Sequence, residues 1–329
     1  MSIYEYIIAV DWGTSHLRAF LCKVNVDKSL TLIDKANSLG VNKVINSLEQ
    51  TLFDCIAPWV KQYGKVQIIM MGQIGSSIGW KETQYLPCPT ELGDIASKSV
   101  NFSCSGHEIT IIPGLSCRLS NDNYDVMRGE ELQALGWLQQ DRQRITGTHL
   151  LCLPGTHTKW VLIKAGKIEL FKTAMTGELF DLLTNHSILI QKSDTTFDQP
   201  SFQKGADFTL KSELGSFTHG LFSVRSKQLF GELTHSQATS YLSGLLIGSD
   251  VRAAMNAVEW QLSELGQVSI IGAKHLSQQF SQVLKLHGMK TDICKVTEMT
   301  LLGFNAVYQQ ILALPSPKNQ TQAVNINKG

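Results

Sequence analysis

The chain has 329 residues, 43% of them hydrophobic and 17% charged, with a formal net charge of +1. That is enough for one large or two medium domains with real cores, and it supplies no basic excess to neutralise nucleic-acid phosphates or an anionic membrane surface. Seven scattered cysteines without a C-x-x-C pair argue against a disulfide framework or a zinc site, and for reduced thiols in the cytoplasm.

No basic region followed by an apolar core opens the chain, so no signal peptide is expected. No apolar run is long enough to span a membrane. The first element is the apolar run Ile7-Ile8-Ala9-Val10, ending in Asp11. Gly13-Thr14-Ser15 follows, then Leu17-Arg18-Ala19-Phe20. This reads as a buried strand, a tight turn and a returning strand. Gly13 lets backbone N–H groups and the Thr14 and Ser15 hydroxyls approach an anion. A carboxylate facing a phosphate makes sense with a divalent cation between them, and Arg18 can add a fork of donors. The same residues also suit an ordinary polar hairpin.

A strand over 30–37 and a helix over 41–63, disturbed by Pro58, come next. The strand Val66 to Met71 runs into Gly72-Gln73-Ile74-Gly75-Ser76-Ser77-Ile78-Gly79-Trp80-Lys81. Glycines at the C-terminal end of a buried strand are where α/β folds put ligand loops. Gln73 and Lys81 can hold a hydroxylated anionic molecule and Trp80 can cover it; the alternative makes Trp80 core. Tyr85 to Glu91, with two prolines, is not helical, and His107 to Ile112 is another strand. A polar loop, Ser120 to Asp125, leads to Val126-Met127-Arg128-Gly129-Glu130-Glu131, which opens a helix. The helix dipole alone favours acids there, while one of the two can be a general base. Arg128 can pair with a carboxylate.

The polar stretch 139–147 marks the domain boundary, giving lobes over 1–143 and 144–314. Beyond it the opening logic repeats: strand Leu150 to Leu153, turn Pro154-Gly155-Thr156-His157-Thr158-Lys159, returning strand Trp160 to Ile163. Two such turns facing each other could grip one nucleotide. A third strand ends at Ala174, and a helix runs from Gly177 through Leu189. Residues 192–236 carry no clear pattern. A long helix is predicted from Gln237 to Leu265, then a strand ending in Gly272-Ala273, whose small residues admit a flat ligand such as adenine. A helix from 275, a short strand from 292 and a helix from 299 complete the lobe, and 315–329 reads as a disordered tail.

This order resembles the sugar-kinase branch of the actin-like/hexokinase ATPase superfamily, and within it the 2-dehydro-3-deoxygalactonokinase family. Asp11 to Ala19, Gly79-Trp80-Lys81, Tyr85-Leu86-Pro87, Val126 to Glu131, Pro154 to Val161 and Leu242 to Gly248 carry the likeness. It implies a two-lobed α/β (ribonuclease H-like) fold with the active site in the interlobe cleft. It implies ATP-dependent phosphorylation of 2-dehydro-3-deoxy-D-galactonate at the 6-hydroxyl, in galactonate catabolism. Asp11 would organise Mg²⁺, directly or through water. Gly13, Thr14, Ser15 and Arg18 would face the ATP phosphates from the first lobe, and Gly155, Thr156 and His157 from the second. Gly272 and Ala273 would lie by the adenosine. The sugar acid would meet Gln73, Trp80, and Lys81 or Arg128. Related kinases use an Asp after a Gly as base; here the place reads Gly129-Glu130-Glu131, so Glu130 is the first candidate and Glu131 the second, with Asp122 and Asp125 open. A cytoplasmic monomer or homodimer is expected. A non-kinase ATPase or sugar-responsive regulator on this fold is the rival reading.

Overall fold

The computed structural model describes residues 4–45, 47–190, 196–211, 217–260 and 265–314. The chain order opens with β1 (Tyr6–Trp12), β2 (His16–Val24), β3 (Leu30–Leu39), α1 (Leu48–Tyr63) and β4 (Gln67–Gly72). Next come β5 (Tyr85–Pro87), α2 (Leu92–Ser97), β6 (Val100–Cys104), β7 (His107–Ile111), β8 (Gly114–Arg118), β9 (Tyr124–Met127) and α3 (Glu130–Gln140). The second half contains β10 (Thr148–Leu153), β11 (Thr158–Lys164), β12 (Lys167–Ala174), α4 (Thr176–Asn185), α5 (Gln199–Lys211), α6 (Phe217–Leu229) and α7 (His235–Met255). β13 (Gln267–Gly272), α8 (Lys274–Leu286), β14 (Lys290–Lys295) and α9 (Val296–Ala313) close it.

The chain forms two compact units. The first takes in everything up to Ser116, Val126–Ile145 and the chain from Thr297; the second holds Cys117–Asp125 and Thr146–Val296. A boundary at 139–147 alone would leave the last helix in the second lobe. Instead α9 lies on α3, because two glycines bring their backbones together. A Cβ on Gly136 would come within 1.8 Å of the Met299 carbonyl, and one on Gly303 within 2.1 Å of the Leu132 carbonyl. Such contact has no local signature in either helix.

Each unit is built on a sheet of the same design. The first has strand order β3-β2-β1-β4-β7-β6 and the second β12-β11-β10-β13-β14. In both, three strands run antiparallel by short turns, and the next pairs parallel with the first of them. The strand–turn–strand repeat in the sequence is therefore the seed of two equivalent sheets. β1 and β10 are apolar almost throughout because they are central and covered on both faces. Trp12, Ile56 and Ile68 belong to the first core, and Trp160, Phe202 and Phe280 to the second. A small third sheet has the order β5-β8-β9.

Several element boundaries differ from the sequence reading. The helix over 41–63 starts at Leu48, because Ser47 caps it by accepting the Gln50 N–H, and Val41–Lys43 makes a separate 3₁₀ turn. Pro58 sits on the exposed side of α1, where water can take the carbonyl bond it forgoes. The helix over 177–189 stops at Asn185. The long helix stops at Met255, since Asn256 Nδ2 caps the Arg252 carbonyl and Trp260 Nε1 caps that of Ala254. Within 192–236, α5 and α6 pack with α7, whose Tyr241, Leu242 and Leu245 anchor a satellite core. The tail over 315–329 and residues 191–195, 212–216 and 261–264 lie outside the described residues.

Candidate functional site

In the first unit, the candidate residues gather at the C-terminal ends of β1 and β4. Asp11 is the last but one residue of β1 and sits opposite Arg18 of β2. The Arg18 guanidinium donates to Asp11 Oδ2, and the other carboxylate oxygen has no hydrogen-bond partner among the described residues. Burial raises the Asp11 pKa, and Arg18 opposes the rise. Thr14 and Ser15 are exposed at the turn. The Gly13 N–H donates to the His16 carbonyl at 3.0 Å and closes the turn.

Gly40, which no motif in the sequence singles out, holds that turn in place. Val41 and Asn42 donate their N–H groups to the carbonyls of Gly13 and Thr14. A Cβ on Gly40 would come within 2.3 Å of the Thr14 oxygen and the Ser15 carbonyl carbon. Gly40→Ala should therefore displace the turn, cost about 1–3 kcal/mol of stability and raise the KM for ATP. Gly93→Ala, where a Cβ meets nothing within 4 Å, is the control. Denaturation and kinetics side by side would check this; equal behaviour of the two variants would refute it.

The start of α3 docks at the same sheet edge. Gly72 pairs with Trp12 in register, with φ at +91°, and Gly129, with φ at +115°, lies against the Gly72 Cα. Both glycines are required by φ, and their contact brings Glu130 and Glu131 to the strand ends. The two acids have separate environments. Glu130 is half-buried and accepts the Arg128 N–H through Oε2 at 3.2 Å. Glu131 is 0% exposed. Its Oε2 accepts the Gly129 N–H at 2.7 Å, while Oε1 is buried without a hydrogen-bond partner. Burial, then the Glu130 charge, pushes the Glu131 carboxyl up to about 8. Asp122 and Asp125 are engaged elsewhere, in the second unit: Asp122 pairs with Arg118, and Asp125 accepts the Thr173 N–H and hydroxyl.

Arg128 is buried, stacks 4.3 Å from the Tyr85 ring and donates to the Thr83 hydroxyl and carbonyl. Thr83 is a residue the sequence reading missed. Trp80 and Lys81 have another partner. Trp80 meets Phe102 edge-on at 5.4 Å and packs on the core, and the Lys81 ammonium lies 4.8 Å above the same ring. Gln73 opens a 3₁₀ turn whose carbonyl accepts the Ser76 N–H and hydroxyl.

In the second unit, the Gly155-Thr156-His157 turn between β10 and β11 packs on the first turn of α4. A Cβ on Gly177 would fall within 2.4 Å of the Gly155 carbonyl oxygen. Beside the turn lies a cavity of about 650 Å³. Its walls include Gly155, Thr156 and Thr158, Thr176, Gly177 and Phe180 on α4, Ser243, Leu246 and Ile247 on α7, and His275, Leu276, Gln279 and Phe280 on α8. It has the size and mixed apolar–hydroxyl lining of a small-molecule site. Gly272 and Ala273 are not among its lining residues. Gly272 instead packs on Pro154, with a Cβ position 3.1 Å from its carbonyl oxygen, and Ala273 caps α8. Beneath the cavity Asp250 accepts the Trp160 indole N–H at 2.8 Å and the Thr176 hydroxyl at 2.6 Å. Burial pushes its carboxyl up to about 6 against those bonds. Among the described residues no group of three or more His, Cys, Asp or Glu could cage a metal ion, and no helix is long and apolar enough to cross a membrane.

The sequence matches the model of the 2-keto-3-deoxy-galactonokinase family over residues 11–307, a span that includes both phosphate-type turns. The chain belongs to that family. A Rhizobium meliloti (strain 1021) relative named "Probable 2-dehydro-3-deoxygalactonokinase" is 31% identical over 95% of this chain and 100% of its own length. The 2-dehydro-3-deoxygalactonokinase of Escherichia coli (strain K12) is 33% identical over 88% of this chain and 91% of its own. A crystal structure of a Sinorhizobium meliloti protein named for the same kinase is similar with a TM-score of 0.82 and 31% identity, covering 94% of this chain and 100% of that one. As a 2-keto-3-deoxy-galactonokinase family member the chain is a carbohydrate kinase, as the motif resemblance implied, and its fold is of the α/β class. The family's match spans the Asp11 turn, the Glu130 helix start and the Gly155 turn alike.

Proposed function

We propose that this chain transfers the terminal phosphoryl group of ATP to the 6-hydroxyl of 2-dehydro-3-deoxy-D-galactonate, as a step of galactonate breakdown. The observation that carries the reading is membership of the 2-keto-3-deoxy-galactonokinase family across 11–307.

In this reading the 650 Å³ cavity takes the nucleoside of ATP. Gly272 and Ala273 then shape its surroundings from the end of β13 and are not part of its wall. The Gly155-Thr156-His157 turn meets the phosphates, as do Gly13, Thr14, Ser15 and Arg18 in the first unit. Asp11 would hold Mg²⁺, directly or through water; its second carboxylate oxygen, which has no hydrogen-bond partner among the described residues, fits an ion coordinated chiefly by nucleotide phosphates. Bound there, the ion would neutralise charge on the transferring group.

Glu130 is the general base. It takes the proton of the 6-hydroxyl as that oxygen bonds to the γ-phosphorus, and the bond to the ADP oxygen breaks. Glu131 is too deeply buried to touch a substrate. The substrate's own carboxylate calls for a cation, and Arg128, held rigid by Thr83 and Tyr85, suits that better than the exposed Lys81. Gln73 and Trp80 complete the sugar-acid contacts. All seven cysteines are free, which supports a cytoplasmic enzyme. The regiochemistry is tested by ³¹P–¹H NMR of the product. Phosphorus coupled to the two C6 protons is expected; coupling to any other carbinol proton would refute the assignment.

A further inference from the structure

The second phosphate-type turn is fastened to α4 at three points, and one of them bears on His157. Gly177 lies on the Gly155 carbonyl. The Glu178 N–H donates to the Thr156 carbonyl at 2.9 Å. The Glu178 carboxylate then reaches the His157 ring, with Oε2 2.5 Å from Nε2. Below, Thr176 is tied to the buried Asp250, so the α4 end that carries Glu178 is itself anchored. Both members of the pair remain solvent-accessible, with side-chain exposures of 45% for His157 and 37% for Glu178.

A carboxylate only accepts, so His157 Nε2 must carry the hydrogen of this bond. The ring is thereby fixed in rotation, and Nδ1 is the atom left for a ligand. We propose that Glu178 is a positioning residue for nucleotide binding: it orients His157 so that, with the ring in its imidazolium form, the Nδ1–H donates to the phosphates of ATP. The inference rests on the reading that His157 touches those phosphates. No group is transferred, and Glu178 itself touches no phosphate. A bare carboxylate beside the polyphosphate would repel it; paired with the imidazole, its charge is spent on orientation.

The test is a double-mutant cycle of His157→Ala and Glu178→Ala, with Glu178→Gln as the conservative variant, whose amide oxygen can still accept from Nε2. KM for ATP, kcat, and the Kd of adenosine and ATP are measured on the full chain, with thermal melts alongside. Glu178→Ala is expected to raise the KM for ATP about tenfold. Adenosine affinity should hold, and Glu178→Gln should restore most of the loss. The double variant should be no worse than His157→Ala alone, because Glu178 acts through the ring. Additive losses, or a matching loss of adenosine affinity, would make Glu178 merely a brace for α4 and overturn the proposal. A wild-type KM in His157→Ala would overturn the prior reading that His157 meets the phosphates.

Discussion

Glu130→Gln is expected to lower kcat by roughly 10²–10⁴-fold, the usual contribution of a positioned general base, while Glu131→Gln stays within tenfold of the parent. The two side chains are adjacent in sequence and alike in charge, so only their surroundings separate them. Glu130 is half-buried at the α3 start and accepts the Arg128 N–H through Oε2. Glu131 is 0% exposed and spends Oε2 on the Gly129 N–H. Its carboxyl, pushed up to about 8, is neutral near pH 7, and its proton spares Glu130 a second charge nearby. Glutamine reproduces that neutral state at Glu131 and abolishes the base at Glu130. Saturated steady-state rates of the two variants decide the matter. An inactive Glu131→Gln beside an active Glu130→Gln would exchange the roles; full turnover in both would remove the base from this helix.

The second large effect is on stability. Glu131 has its pKa raised from 4.5 in the unfolded chain to about 8 in the fold. Between those values the folded state holds a proton that the unfolded state has lost, so this group's contribution falls by about 1.4 kcal/mol per pH unit as pH rises. Below that window both states are protonated, and above it both are ionised with the full burial penalty in place. Glu131→Gln cannot ionise and escapes the penalty. Urea denaturation should find the Gln variant's advantage small at pH 5 and on the order of several kcal/mol at pH 8.5. An advantage independent of pH would mean that Glu131 is ionised in the fold at neutral pH.

The parts of this protein that were legible in its sequence are those whose signals are local. An apolar run, a Gly/Thr turn and a second apolar run mark β1–β2 and β10–β11, and their recurrence foretold two sheets of one design. The non-local parts were not legible. Gly40 is decisive for the first turn, yet its neighbours in sequence do not reveal that it lies on Thr14 and Ser15. The contact of Gly136 and Gly303 with facing backbones assigns α9 to the first unit, and nothing in the α9 sequence announces it. Gly272 and Ala273 stand out in the sequence as small residues after a strand, whereas the cavity of the second unit is walled by residues brought together from α4, α7 and α8, which no local pattern announces. Trp80 and Lys81 shared a motif with the glycine loop but share a partner, Phe102, that lies on another strand. The two glutamates differ only through burial, which the helix dipole, favouring both, could not distinguish.

Coupled ADP release from ATP and Mg²⁺ tests the central claim most directly, with 2-dehydro-3-deoxygalactonate, its gluconate epimer, glycerol and simple hexoses as acceptors. The account predicts fast turnover with the galactonate compound and little with the others. Turnover confined to a different acceptor would keep the kinase and overturn the substrate. No turnover with any acceptor, from a protein that still binds ATP, would contradict the kinase reading itself.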